Sequence, residues 1–124
     1  MKKYITGDLL HYKICNAKYL IEVTNTSKHG YCFKGVKDDF NGVICDEFIE
    51  DIPLTPEILE KNGWKSINGK YALKIKNANY VVLEFTENGI YTYINENTML
   101  FTIKYIHELQ HLLFGLGLNS EMEV

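Results

Sequence analysis

The sequence predicts an α+β protein: an N-terminal SH3-like β-barrel or roll, a short capped helix, an antiparallel β-meander and a C-terminal helix. Three observations lead there. Short runs of β-branched and aromatic residues recur at roughly ten-residue spacing through the first half, separated by turn residues. A segment opening at Thr55-Pro56 and ending at Gly63 carries the chemistry of both helix caps. Beyond Tyr105 the apolar residues recur at helical spacing. These divide the chain into a β-barrel-like part, residues 1–53, and a second part, 54–124, holding the helix, the meander and the terminal helix, the two forming one compact unit.

The elements follow in order. Gly7-Asp8 is a turn, followed by strands at Leu9–Lys13, Tyr19–Thr24, Tyr31–Val36 and Val43–Ile49. Asn25–Gly30 and Asp38–Gly42 read as the turns between them. At the helix start, the Thr55 hydroxyl can accept an orphan backbone N–H, and Pro56 loses nothing at the first helical position. Glu57 suits the positive end of the dipole, and Leu54 and Leu59 occupy hydrophobic-staple positions. Gly63 stops the helix, and Trp64 can fold back onto Ile58 and Leu59. Three strands, Tyr71–Ile75, Tyr80–Phe85 and Ile90–Ile94, then form a meander punctuated by Asn68-Gly69, Asn77–Asn79 and Asn88-Gly89.

Composition narrows the function. The apolar share is 46% and the charged share 23%, so a packed domain is expected. Net charge is −3, carried by lysines and acids spread evenly along the chain, with no arginine. The sequence therefore lacks a basic block, the bidentate guanine reader and the phosphate fork, and it gives no strong nucleic-acid signal. The apolar runs are too short to span a bilayer, so no membrane partner is expected. The opening residues have two lysines but no apolar signal segment, which makes the cytoplasm the expected compartment. Cys15, Cys32 and Cys45 form an odd set without C-x-x-C spacing, so buried reduced thiols are expected.

One motif carries possible chemistry. His107-Glu108-Leu109-Gln110-His111 matches H-E-x-x-H, in which histidines four residues apart ligate zinc and the glutamate acts as base on metal-bound water. On a helical projection Leu109, Leu112, Leu113 and Leu116 form a core stripe. His107 and His111 fall about 100° and 140° from Ile106, beside Phe114 and Leu118. A zinc hydrolase would use His107 and His111 as ligands and Glu108 as base, and it needs a third ligand. The elongated motif requires Gly and His where Phe114 and Gly117 stand. Glu121, Glu123, His11 and His29 are the alternatives. The opposing reading is a polar helix face packed against a neighbouring element.

The segment "IPLTPEILEKNGW" and the later "IKYIHELQHLLFGLGL" resemble a family of small uncharacterised proteins from phages and mobile elements of Bacteroidetes. Its members carry an early "G-D/N-L/V" turn, a "PLT-x-E-x-L-x-K-x-G-F" segment and a terminal "K-Y-V-H-x-L-Q" helix. The resemblance spans nearly the whole chain, with Trp64 in place of the usual Phe. It reads the motif as H-x-L-Q, with Gln usual at the position of Glu108 and Asn often at that of His111, and it implies no particular activity. A non-catalytic binding or accessory protein of phage or prophage origin is therefore expected, without cofactor. His107, Gln110, His111 and Phe114 are its contact residues, and a protein partner or self-association is the expected occupant. Within the fold, His107 is expected to hydrogen-bond a backbone carbonyl at the junction with the β part.

Overall fold

Alternating β-branched and aromatic residues build nearly half of this chain into antiparallel sheet, and the fold is α+β. The computed structural model describes residues 4–27, 30–95 and 97–124. Its strands are Leu9–Ile14 (β1), Ala17–Ser27 (β2), Gly30–Gly35 (β3), Asn41–Ile44 (β4) and Ile49–Glu50 (β5). Pro56–Lys61 (α1) follows, then Lys65–Ile67 (β6), Lys70–Lys74 (β7), Tyr80–Thr86 (β8), Gly89–Ile94 (β9) and Thr98–Ile103 (β10). Ile106–Gly115 (α2) is the last element. No helix among the described residues is long and apolar enough to cross a membrane.

The chain divides into two units, Met1–Pro53 with Tyr105–Glu121, and Leu54–Lys104 with Met122–Val124. Helix α2 falls within the first unit and not with the residues that precede it in sequence. The reason lies in α2's buried side chains, which bond to the turn before β1.

The first unit is an antiparallel sheet in the order β4-β3-β2-β1-β5. It is an open sheet and not a closed barrel: four-residue β4 and two-residue β5 are its edges. The expected strand Val43–Ile49 is interrupted by a 3₁₀ turn at Asp46–Phe48. The expected turn Asn25–Gly30 is partly strand, because β2 runs through Ser27; Lys28 and His29 lie outside the described residues. Cross-strand pairs Leu10↔Ile21 and Val23↔Phe33 set the register of one face. With Tyr4, Ile44 and Ile49 these form the core cluster of the unit. A bulge between Val23 and Asn25 bends the long β2. The cysteines are free thiols, but Cys15 and Cys45 are exposed and Cys32 is half-buried, so the expected burial does not hold. Cys15 lies in the turn between β1 and β2 and Cys45 directly after β4, while Cys32 lies within β3 opposite the exposed Val43 of β4.

The second unit is a five-stranded meander in the order β10-β9-β8-β7-β6. Two strands extend the three expected from sequence, one at each edge. Val81, Leu83, Ile90, Thr92 and Ile103 share its buried face. The Thr92 hydroxyl donates to the Phe101 carbonyl at 2.6 Å and accepts its N–H at 3.1 Å, satisfying the backbone where β10 bulges. Helix α1 forms as its caps dictate. The Ile58 N–H donates to Thr55 Oγ1 at 3.3 Å. Gly63, at φ +86°, lets its own N–H reach the Glu60 carbonyl and the Trp64 N–H reach the Leu59 carbonyl. Those two bonds are a Schellman stop, and Leu59 and Trp64 are both buried. The tail returns to this unit: Asn62 donates to the Glu123 carbonyl at 2.7 Å and accepts the Glu123 N–H at 2.8 Å.

Candidate functional site

The motif on α2 faces the turn that opens β1. That turn is built around Gly7 and Asp8. Gly7 has φ +97°, a conformation that disfavours any residue with a Cβ. Its N–H donates to the Val23 carbonyl at 2.7 Å, and the Val23 N–H donates to the Asp8 carbonyl at 2.9 Å. The Asp8 carboxylate is almost completely buried and accepts the Ile5 N–H at 2.9 Å. A buried carboxylate needs strong partners to remain favourable.

His111 supplies one. Its Nε2 lies 2.9 Å from each Asp8 carboxylate oxygen. A carboxylate only accepts, so Nε2 carries a proton and donates. Nδ1 of His111 makes no hydrogen bond to the described residues, and the side chain is about one-third exposed, at 34%.

Gln110 binds the same turn. The Leu9 N–H donates to its Oε1 at 2.9 Å. Its Nε2 donates to the Gly7 carbonyl at 2.9 Å and to the Ser120 carbonyl at 3.2 Å. Both amide hydrogens and the carbonyl are thus in use, which is how a side chain 4% exposed avoids an unsatisfied polar group. Gln110, not His107, makes the junction's backbone hydrogen bonds. The expectation for His107 fails because its ring is held among other rings.

His107 stacks on Tyr105 with 6.0 Å between centroids, and meets the edges of Tyr4 at 5.2 Å and His111 at 5.6 Å. Its Nδ1 is buried without a hydrogen-bond partner, 3.9 Å from Asp51 Oδ1. That oxygen accepts the Tyr4 hydroxyl at 2.6 Å. Burial pushes the His107 imidazole below its ordinary value of 6.5; Asp51, Asp8 and Glu108 oppose this, and His111 adds to it. The helical projection placed His107 away from the core stripe. In the fold the buried arc of α2 takes in Ile106, His107 and Gln110 as well as Leu109, Leu112 and Leu113, while Leu116, expected in the core stripe, is 38% exposed past the helix end.

Glu108 has a different task. Its Oε1 accepts the Tyr105 N–H at 3.0 Å, the carboxylate half of a capping box at the start of α2. Of the distant ligand candidates, His11 lies in β1 paired with Glu50, and burial followed by the charge of Lys18 lowers its pKa. Glu121 and Glu123 sit in the exposed tail, the latter tied to Asn62. His29 lies outside the described residues. Among the described residues no three His, Cys, Asp or Glu side chains are grouped as a metal site.

The fourth contact candidate, Phe114, is 68% exposed one turn beyond Gln110. Beside it a recess of about 400 Å³ opens, lined by Ile5, Asp8, His111, Phe114 and Ser120 among others. Ile5 is also exposed, at 43%. So the structure gathers His107, Gln110, His111 and Phe114 at one end of one unit but divides their work. His107 and Gln110 are buried in the fold, Gln110 at the inner wall of the recess that His111 and Phe114 also line. The partners Gly7, Asp8, Tyr4 and Asp51 escaped sequence reasoning, although the Gly7-Asp8 turn was visible as a turn. Comparison with protein-family models, curated proteins and solved structures finds no match to this chain.

Proposed function

We propose that this protein is a small non-catalytic binding or accessory protein of phage or prophage origin, acting in the cytoplasm. Its contact surface for a protein partner is the recess edged by Ile5, His111 and Phe114. The observation that carries this reading is the exposure of Phe114 beside that recess. A large apolar ring held out on a helix, with exposed Ile5 and the His111–Asp8 pair lining the same recess, suits a partner's apolar side chain. Free thiols accord with a reducing compartment. We read the first unit as an SH3-like roll. The strand order β5-β1-β2-β3-β4 and the bulge that bends β2 support this, since a bent long strand can serve both halves of a curved sheet.

The zinc-hydrolase reading meets a chemical objection. Nε2 of His111 is turned to Asp8, the carboxylate of Glu108 caps its own helix, and His107 is enclosed by rings. The test pairs two measurements. A photo-crosslinking residue at position 114 is expected to capture a protein partner or a second copy in producing cells, and His111→Ala is expected to abolish that crosslink. Protein purified without a histidine tag is assayed for metal; one zinc per chain, lost in His107→Ala, would replace the binding reading with the hydrolase.

A further inference from the structure

The lysines of the second unit are scattered in sequence but gathered in space. Residues paired across antiparallel strands share a face, so the register defines which side chains lie together. One row crosses the whole sheet: Lys65↔Ala72, Ala72↔Val82, Val82↔Tyr93 and Tyr93↔Met99. The same face carries Lys74 opposite Tyr80, and Ile67 opposite Lys70. The Lys70 ammonium stands 5.9 Å from the centroid of the Tyr93 ring, which confirms their shared side. Lys65, Lys70 and Lys74 have no ion-pair partner among the described residues. Among the described residues of this face the carboxylate is Glu84, which accepts the Tyr93 hydroxyl at 3.2 Å. The face therefore has an excess of positive charge that the chain's net charge of −3 conceals.

It also has a recess of about 450 Å³, lined by Ile67, Lys70, Ala72, Tyr80, Val82 and Asn97, among others. Ala72 and Val82 are an apolar cross-strand pair within it. Tyr80 is 37% exposed, and Asn97 is exposed in the turn before β10. The amide of neighbouring Asn95 is already engaged, accepting the Tyr80 N–H at 2.9 Å and donating to Asn79 at 3.0 Å.

We propose that this face binds single-stranded nucleic acid, with one base placed in the recess against Tyr80 and the backbone phosphates on Lys65, Lys70 and Lys74. The chemistry is that of a sequence-tolerant single-strand surface: cations that follow a backbone, and an aromatic ring on which any base can stack. Lys70 and Lys74 lie about 13 Å apart along one strand, enough to contact separate phosphates. The Asn97 amide can meet a base edge. An acidic peptide would use the lysines but leave the apolar recess and Tyr80 without a role. A duplex keeps its bases stacked inside and would have to flip one out.

The test is fluorescence anisotropy of the full chain with labelled fifteen-nucleotide oligodeoxythymidylate and oligouridylate at low salt. A duplex of the same length and polyglutamate serve as competitors. Binding to one or both single strands is expected, stronger than to duplex, and the better of the two identifies DNA or RNA as the source. Affinity is expected to fall with salt with a log–log slope of about −2, for three neutralised phosphates on a single strand. Lys65→Ala with Lys70→Ala and Lys74→Ala should flatten that slope, and Tyr80→Ala should weaken binding about tenfold or more without changing it. Both variants alter partly exposed side chains, and their unfolding midpoints are measured alongside. No binding at low salt overturns the proposal. So does binding that Tyr80→Ala leaves intact, or that polyglutamate displaces as well as the oligonucleotide does; either result would indicate an acidic protein ligand.

Discussion

Gln110 shows how one side chain can hold two ends of a chain. It bonds to Leu9 and Gly7 from more than a hundred residues away. Gln110→Ala would leave a buried N–H and a carbonyl without partners, and a loss of about 2–3 kcal/mol is expected from urea unfolding midpoints. His107 gives a pH dependence. Its folded pKa lies below the 6.5 of the unfolded chain, so below 6.5 the unfolded state binds more protons. This contribution to stability is complete above 6.5, declines as pH falls through 6.5 toward the folded value, and changes no further below that. The melting temperature is expected to fall between pH 7.5 and 5.5, less steeply in His107→Phe, which keeps a ring between Tyr4 and Tyr105. Because Asp8, Asp51, Glu108 and His111 remain in both proteins, the difference in slope belongs to His107. The sequence singled out these α2 residues without showing which groups their side chains meet. Helical spacing says which positions share a face; it does not say that Asp8 waits opposite, at a sequence separation of 103.

Elements were legible where their chemistry is local. Helix α1 is only six residues long, yet Thr55, Pro56, Gly63 and Trp64 each perform the cap role that their positions dictate. Thr55→Ala is expected to cost about 1 kcal/mol through the lost acceptor for the Ile58 N–H. Gly63→Ala should cost about as much for a different reason, since φ +86° strains any residue with a Cβ. Chemical unfolding of the two single variants and the double checks both. Strands β6 and β10 were not legible. The first is three exposed residues. The second bulges between Met99 and Thr102, which breaks the alternation that sequence reading depends on. The split between β4 and β5 was missed because the apolar residues of Val43–Ile49 read as one strand, although Asp46 and Glu47 within it stand in the 3₁₀ turn that breaks it.

For the whole molecule, the consequential feature is connectivity. The first unit is interrupted after Pro53 and resumes at Tyr105, and these two residues form an isolated antiparallel bridge. On either side of it, the Ile106 N–H donates to the Ile52 carbonyl at 2.9 Å, and the Leu54 N–H donates to the Lys104 carbonyl at 3.0 Å. The chain thus leaves and re-enters at neighbouring points. Replacing residues 55–103 by a short Gly-Ser linker is expected to leave the first unit folded, with the His111 ring still hydrogen-bonded to Asp8 in NMR spectra. A chain ending at residue 104 is expected to lose cooperative unfolding, because Gln110 and His111 are then missing from the turn before β1.

The same connectivity orders events during translation. The Asp8 carboxylate emerges from the ribosome 103 residues ahead of the His111 imidazole that partners it. The strands of the second unit, neighbours in sequence, come within reach of one another before helix α2 is made. The nascent chain must therefore carry an unfinished first unit while the strands of the second are made, and the helix that completes it becomes available only after them.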